Sequence, residues 1–304
     1  FQTQVSREFD DGFVSRITAG ASYTDRNKSK TPDEFYLNLA GGATSLVLPQ
    51  QYRLPATNLD FIGAGPMLSY DPFQLLADGV LVKIPNTSKD IPAKAYAVSE
   101  KLLSFYVQAD LRGSLGSAEL AGNVGVLAQN TDQSSRGIVN LATFPSSQEY
   151  RNEGANYWDI LPSLNLSARF PSDFVVRFAA AREIQRPRLD DLKVSREYNY
   201  SVTSNSISGS GGNPQVRPYR AWAFDLNLEK YFGRKGYIGL QLFYKTFDSY
   251  IYRAPAPFDY TGLPITIPPG FPINLMGTIT QPVNLDGGQL YGVEVAGTIP
   301  FDVI

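Results

Sequence analysis

Polar and apolar residues alternate along most of the chain. This period of two predicts β-strands, because successive side chains of a strand point to opposite faces. Over 103–112, Leu103, Phe105 and Val107 share one face, while Ser104 and Gln108 share the other. The pattern predicts about nine strands and the start of another near Val303. Their expected ranges are 1–9, 13–24, 98–112, 117–131, 157–170, 174–185, 219–232, 237–252 and 288–299. Alternation alone fits both a membrane wall and a soluble sandwich.

The lengths of the connections separate these two interpretations. Tight turns are expected at 10–12, 113–116, 171–173, 233–236 and 300–302, and long connections at 25–97, 132–156, 186–218 and 253–287. Compact soluble domains use connections of about 4 to 6 residues and few long loops. Strict alternation puts every tight turn at one end of the strands and every long loop at the other, as in outer-membrane barrels. The sequence therefore predicts an all-β, transmembrane, antiparallel up-and-down β-barrel, with 1–304 as a partial barrel domain.

Aromatic residues cluster where these strands are expected to end, which favours the membrane interpretation. The chain has 18 Tyr and 18 Phe, and interfacial girdles of barrels are rich in such residues. The group near the tight turns is Phe9, Phe13, Phe170, Phe174, Phe232, Tyr237 and Phe301. The group near the long loops is Tyr23, Tyr157, Trp158, Tyr219, Trp222, Tyr250 and Tyr252.

Composition removes several kinds of function. The net charge of −2 gives no basic footprint for nucleic acid. With no Cys and no His, the chain has no disulfide, no imidazole zinc site and no histidine-based catalysis. Asp190 and Asp191 could contribute to a calcium site, although such a pair more commonly starts a turn. We expect no catalytic residue, no metal site and no cofactor.

A set of motifs in a fixed order carries a family resemblance. The segments are YWDILPSLNL at 157–166, RP at 186–187, GNPQVRP at 212–218, LNLEKYF at 226–232, LFYK at 242–245 and GQLYGVE at 288–294. Together they resemble the barrel of TonB-dependent outer-membrane receptors, especially the Caulobacter and Xanthomonas type. The similarity is clearest over 98–299.

The resemblance implies a 22-stranded barrel filled by an N-terminal plug, which imports a scarce ligand with energy transmitted by TonB in the bacterial outer membrane. We expect this chain to supply the middle of the barrel wall, with the plug and TonB box absent and both ends cut. The implied partners are outer-membrane lipid, the receptor's own plug, the TonB complex and a ligand. An oligosaccharide is the expected ligand, and a siderophore or cobalamin-like chelate is the alternative.

Two groups of residues are candidates for function under this resemblance. Polar residues facing the lumen are expected to hold the plug, or merely to solvate the lumen: Arg112, Arg169, Arg177, Asp225, Asn227, Glu229 and Glu294. Aromatic residues of the outer loops are expected to stack on a sugar or a flat chelate, or to pack the loops against one another: Tyr150, Tyr198, Tyr200, Phe258 and Tyr260.

Two other functions stay open at this point. A soluble all-β carbohydrate-binding or hydrolytic domain would bury its apolar rows between stacked sheets, and a hydrolase would need two convergent carboxylates. A passive porin would share the strands but lack the ordered motifs. We therefore expect a transport receptor and not an enzyme.

Overall fold

The computed structural model describes residues 1–88, 91–141, 148–233, 235–263, 270 and 274–300, and these are almost entirely β-strand. The strand expected near Val303 and most of the turn expected at 300–302 lie outside the described residues. No helix in the described ranges is long and apolar enough to cross a membrane.

The strands of the main sheet are long. They are β1 (Gln2–Glu8), β2 (Val14–Lys30), β7 (Tyr96–Leu115), β8 (Ala118–Leu141), β9 (Gln148–Arg169), β10 (Phe174–Gln185), β11 (Arg196–Ser201), β12 (Ser206–Gly211), β13 (Tyr219–Phe232), β14 (Gly236–Asp259), β15 (Met276–Asp286) and β16 (Gln289–Thr298). Four short strands, β3 (Phe35–Leu39), β4 (Arg53–Asn58), β5 (Pro66–Tyr70) and β6 (Leu81–Pro85), and the helix α1 (Pro72–Ala77) lie between β2 and β7.

The wall of the sheet is built from sequential antiparallel neighbours in the order β1-β2-β7-β8-β9-β10-β13-β14, and β14 also pairs with β15 and β16. Strands β10 and β13 have the bounds predicted from the sequence. Strands β7, β8, β9 and β14 run further than predicted, to between 20 and 24 residues. A barrel strand needs about 10 residues to cross the lipid, so these strands extend beyond it at the long-loop end.

One face of this wall is apolar and exposed. Residues paired directly across antiparallel strands share a face, so the register defines rows. One row runs Val5, Ala19, Val107, Val126 and Pro162. Val107 and Val126 are 51% and 43% exposed, and Val293 on β16 is 64% exposed. These apolar rows do not meet a second sheet in the described residues, as a soluble sandwich would require.

The opposite face is polar. Ser167, Arg177, Asn227, Gln241 and Glu294 form one row across β9, β10, β13, β14 and β16. The neighbouring row on the same strands, shifted by one residue, is the apolar series Leu166, Phe178, Leu226, Leu242 and Val293. Lipid-facing and lumen-facing rows therefore alternate along the strands. This pattern confirms the predicted all-β, antiparallel barrel class.

The tight turns have the backbone geometry that their sequences favour. Gly12, Gly116 and Gly233 have φ of 100°, 60° and 58°, in the left-handed region that glycine enters without strain. At 171–173 the turn instead uses Asp173, with φ of 56°, and aspartate tolerates this region better than most residues. All these turns lie at the same end of the wall.

Several of the expected girdle aromatics lie on the apolar face, but Tyr157, Tyr219, Tyr237 and Tyr250 do not. Trp158, for example, is 53% exposed, as expected of an interfacial residue. Tyr157 and Tyr219 instead share the polar face, opposite Thr131 and Gln185. Both residues are expected in the girdle because they lie near a strand end. The face on which a side chain lies depends instead on whether its position in the strand is odd or even.

Residues 31–94, within the loop expected at 25–97, form a compact unit of their own. Strand β3 pairs with β6, and β4 pairs with β5. Asp71 caps α1 by accepting from the backbone N–H groups of Phe73 and Gln74. Tyr52 and Leu75 are buried in this unit, and the Tyr52 hydroxyl donates to Asp78 at 3.0 Å.

The other expected loops are largely strand. Strands β8 and β9 fill most of 132–156, and β14 with β15 fills most of 253–287. The connection at 186–218 contains the β11–β12 hairpin, which pairs in parallel with β8 on one side and β15 on the other. Through this hairpin the sheet closes a ring of strands at the long-loop end.

Two glycines separate β15 from β16, which pair with β14 one after the other. Strand β14 pairs with β16 over Tyr237–Thr246 and with β15 over Ser249–Asp259, and Gly287 and Gly288 lie between them. A Cβ on Gly287 would lie 1.9 Å from the carbonyl oxygen of Phe247. Only glycine fits this close approach of two backbones.

The two faces predict different responses to a buried charge. Val107→Arg places a guanidinium against lipid and should cost about 2 to 4 kcal/mol of folding free energy, whereas Gln108→Arg on the polar face should cost far less. Equilibrium refolding of both variants into phospholipid vesicles measures the difference. Equal losses at the two positions would contradict the assigned faces.

Candidate functional site

The connection at 186–218, here called the inner loop, folds against the polar face of the wall. Gln133 on β8 donates to the carbonyls of Pro214 at 2.7 Å and Val216 at 2.9 Å. The backbone N–H of Val194 donates to the Ser135 hydroxyl at 2.9 Å. Strand side chains thus satisfy backbone groups that a buried loop would otherwise leave unpaired.

Apolar contacts add to these hydrogen bonds. Leu192 and Val216 of the inner loop are 1% and 0% exposed, and they pack with Tyr96 and Val98 of β7. Both β7 residues belong to the polar-face series, so this part of the face is apolar only where the loop covers it. Burial of such side chains contributes about 1.5 to 3 kcal/mol each.

The inner loop is also fastened to the far side of the ring. Asn213 donates to the carbonyl of Pro282 at 3.0 Å. Asn284 accepts from the backbone N–H of Arg217 at 2.8 Å and donates to its carbonyl at 2.9 Å. The loop therefore spans from β7 and β8 to β15 across the polar face.

Charged side chains are buried where the inner loop begins. Glu100 has a fully buried side chain and pairs with Arg26 and, at 3.6 Å, with Arg186. Asp159 on β9, 4% exposed, accepts from Arg220 at 2.6 Å. Each carboxylate thus has an arginine partner, as buried charges require.

A second buried pair holds the hairpin itself. Arg196 on β11 donates to both carboxylate oxygens of Glu153 at 2.8 and 2.6 Å, and its guanidinium lies 5.6 Å from the Phe258 ring centroid. Burial opposes the charge, yet the Glu153 carboxylate outweighs it and leaves the pKa of Arg196 raised. No sequence motif pointed to this pair, because its members are far apart in the chain.

The five loop aromatics predicted to bind ligand fall into two groups. Tyr198, Tyr200 and Tyr260 are 2%, 1% and 0% exposed, and Phe258 is partly buried against them. Tyr198 and Tyr260 meet edge to face at 4.9 Å. These rings pack the loops against one another, which is the second of the two roles expected for them. Burial also raises the pKa of Tyr198 to about 12, so its hydroxyl stays neutral.

Tyr150 differs from the other four. It is 68% exposed on β9, and the Arg136 guanidinium lies 5.4 Å from its ring centroid. A ring held by a cation on one side and open on the other can accept a flat ligand face. Of the five candidates it alone offers a free aromatic surface.

The residues predicted to face the plug lie on the polar face. Arg177 pairs with Glu229 at 3.0 Å, and Tyr231 donates to the same carboxylate at 2.9 Å. A recess of about 280 Å³ beside them is lined by Arg177, Asp225 and Asn227. Another, of about 500 Å³, is lined by Arg112 and Arg169. Glu294 faces the same side from β16.

Asp190 anchors the inner loop rather than a metal. It pairs with Lys28 at 2.7 Å and accepts a hydrogen bond from the Tyr96 hydroxyl. Donation from Lys28, and then from Tyr96, holds the pKa of Asp190 below its usual value. Among the residues with described positions, no group of acidic side chains is arranged to hold a metal ion.

Removing one partner of the Arg196–Glu153 pair should loosen the hairpin. Arg196→Met leaves Glu153 without its partner and should lower the opening free energy of β11–β12 by about 2 to 3 kcal/mol. Arg151→Met, in the more exposed pair with Glu149, should cost less than about 1 kcal/mol. Hydrogen exchange of the hairpin amides measures both. A double variant, Arg196→Met with Glu153→Leu, should regain most of the loss, and failure to do so would argue against the pair.

The Asp190 anchor should depend on pH. Because the folded pKa is lowered, the anchor contributes fully above the ordinary aspartate pKa, near 4, and is lost as the pH falls through the lowered value. Hydrogen exchange of the 189–192 amides, corrected for intrinsic rates, should show steady protection above about pH 5 and falling protection below about pH 4. Asp190→Asn should remove this dependence. An unchanged pH profile in the variant would exclude Asp190 as its source.

The chain is similar to several solved receptors at low sequence identity. No curated protein matches the chain. The ferric enterobactin receptor of Pseudomonas aeruginosa is similar over 99% of this chain and 41% of its own, with 15% identity and a TM-score of 0.43. The siderophore receptor PirA of Acinetobacter baumannii covers 99% and 42%, with 11% identity and a TM-score of 0.39. The Serratia marcescens hemophore receptor HasR covers 93% and 39%, with 12% identity and a TM-score of 0.41.

The chain thus spans about two fifths of the length of these solved receptors. The family model for TonB dependent receptor-like β-barrels matches residues 1–303, nearly the whole chain. The resemblance carried by the ordered motifs is therefore confirmed, and with it the bacterial outer membrane as the location. This chain belongs to the β-barrel family of TonB-dependent receptors.

Proposed function

We propose that this chain forms wall and mouth of an outer-membrane receptor that captures a scarce ligand at its outer loops and imports it with energy transmitted by TonB. The observation that carries the proposal is the alternation of apolar and polar rows across the wall, with tight turns at one end and structured loops at the other. Family membership supports it. The proposed role is binding and passage of the ligand, without a chemical step.

The edges of the wall support a larger barrel. In the described residues β1 pairs only with β2, and β16 pairs only with β14. Unpaired backbone groups facing lipid cost several kcal/mol each, so further strands must complete both edges. We assign those strands, the plug and the TonB-binding segment to the rest of the receptor.

The polar face is the proposed seat of the plug. Its charged residues, Arg112, Arg169, Arg177, Asp225, Glu229 and Glu294, point away from lipid, and recesses lie beside several of them. Arginine and carboxylate groups on such a face form charge-assisted hydrogen bonds with a docked domain. The same groups would also solvate a lumen, and plug contact is the reading we favour.

An oligosaccharide is the proposed ligand. Tyr150 offers an exposed ring on the loop side of β9, and the Arg136 guanidinium lies 5.4 Å from its centroid. The chain carries 27 basic and 29 acidic residues, whereas an anionic chelate would favour a basic excess. A stacking ring with a guanidinium donor beside it suits the apolar face and hydroxyls of a sugar.

Transport by the full-length receptor tests this proposal. Cells that express it should accumulate radiolabelled maltotetraose, cellotetraose or xylotetraose, and deletion of TonB should abolish accumulation. Tyr150→Ala should weaken binding of the same sugar about tenfold, because one stacking contact contributes on the order of 1.4 kcal/mol. Val107→Ala, on the lipid face, is the matched control. Uptake that persists without TonB would indicate a passive porin, and TonB-dependent uptake of a ferric chelate alone would exclude the sugar.

A further inference from the structure

We infer that a recess of about 810 Å³ on the polar face is a binding subsite for a neutral sugar unit. This inference rests on the proposed function, since it names the place where an entering oligosaccharide is held after the mouth. Leu161, Tyr219, Phe247, Tyr250, Glu183 and Lys245 line the recess. Tyr219 directly follows the end of the inner loop, so the recess begins where that loop ends.

A small residue creates the space. Glu183 on β10, Ala221 on β13 and Phe247 on β14 lie directly opposite one another in a single row. Ala221 is 6% exposed and forms the floor, while the longer side chains on both sides of it rise as walls. The recess therefore exists because the residue at position 221 is as small as alanine.

The lining is unlike the rest of the polar face. Elsewhere in that face the rows are occupied by groups such as Arg177, Asn227 and Gln241. Here Leu161, Phe247 and Leu290 replace them, and Leu290 is 52% exposed. Exposed apolar groups in a concave site indicate a binding surface, because covering them with a ligand removes apolar area from water and is favourable.

The aromatic rings are held in place before any ligand arrives. Tyr219 and Tyr250 meet edge to face at 4.6 Å, and Phe247 meets Tyr250 at 6.1 Å. The Tyr219 hydroxyl also donates to the carbonyl of Ile251 at 3.3 Å. Rings fixed in this way lose little conformational freedom when a ligand binds.

The recess also has polar groups that could form hydrogen bonds with the hydroxyls of a sugar. The Lys245 ammonium lies 3.2 Å from the Glu183 carboxylate, and the two side chains are 33% and 50% exposed. Such an exposed pair contributes little to stability, so its donors and acceptors are available to hydroxyl groups. The C–H face of a pyranose would lie on the rings, and a fixed carboxylate would disfavour an anionic chelate. The volume is that of a small-ligand pocket.

Filling the hollow tests the subsite. Ala221→Leu occupies the floor without removing any lining group. Ala179→Leu is the matched control, because it makes the same change on the same face in the smaller recess beside Arg177. Calorimetric titration of purified full-length receptor with maltotetraose, cellotetraose and xylotetraose should show at least tenfold weaker binding for Ala221→Leu, and unchanged binding for the control.

A second measurement separates the sugar from the plug as occupant. This chain has no cysteine, so Leu290→Cys, in a receptor whose other cysteines are replaced by serine, reports access to the recess. Maleimide should label this cysteine in the free receptor, and the bound tetrasaccharide should slow labelling. A cysteine already protected in the free receptor would place the plug there and overturn the subsite.

Two further outcomes would overturn the subsite. If the tetrasaccharides bind Ala221→Leu as tightly as the unmodified receptor and do not slow labelling, the subsite is overturned while sugar uptake stands. If none of the three binds the unmodified receptor, the sugar subsite and the proposed ligand class both fail. Glu183→Gln, which keeps the shape of the side chain, should weaken binding severalfold even where Ala221→Leu folds poorly.

Discussion

Every feature of this wall depends on one requirement: a backbone in lipid must satisfy all its N–H and C=O groups within the protein. Long antiparallel ladders meet that requirement, as between β7 and β8, which pair without interruption from Tyr96 opposite Gly137 to Leu115 opposite Ala118. Once the register of the ladder is fixed, the odd or even position of each residue in its strand determines whether its side chain faces lipid or the lumen. Val107 must face lipid and Gln108 must face the lumen, because a shift of one residue would exchange them.

Local chemistry explains why part of the fold could be predicted from the sequence. Strands β10 and β13 were located at their observed bounds because a turn and a loop signal flank a clear alternation. The sequence predicts loop where the β11–β12 hairpin and β15 lie, because the order of these strands depends on distant partners such as Glu153 for Arg196 and Pro282 for Asn213. Five aromatics were named as ligand groups by type and position. Burial distinguishes Tyr150 from Tyr198, Tyr200 and Tyr260, and burial is a tertiary property that no short motif encodes.

The polar face serves more than one purpose along its height. Near the tight turns it carries charged groups such as Arg177 and Glu229, which pair with each other and leave recesses between them. Near the loops the same face supplies Gln133 and Ser135 to the backbone of the inner loop. A surface built to tolerate water thus becomes a folding template where the chain returns over it, because its side chains offer the hydrogen bonds that a covered loop needs.

Gly287 and Gly288, opposite Phe247, divide the strand that follows β14 and pairs with it into two parts, β16 and β15. Strand β16 is bound to the lipid-level portion of β14, and β15 is bound to the portion above it. The Phe247 N–H donates to the Gly288 carbonyl at 2.8 Å, and both halves keep the same register with β14 across the two glycines. A side chain larger than hydrogen at position 287 would push the backbones of Gly287 and Phe247 apart, so this one hydrogen atom allows the membrane-spanning and outer parts of the wall to share a single partner strand.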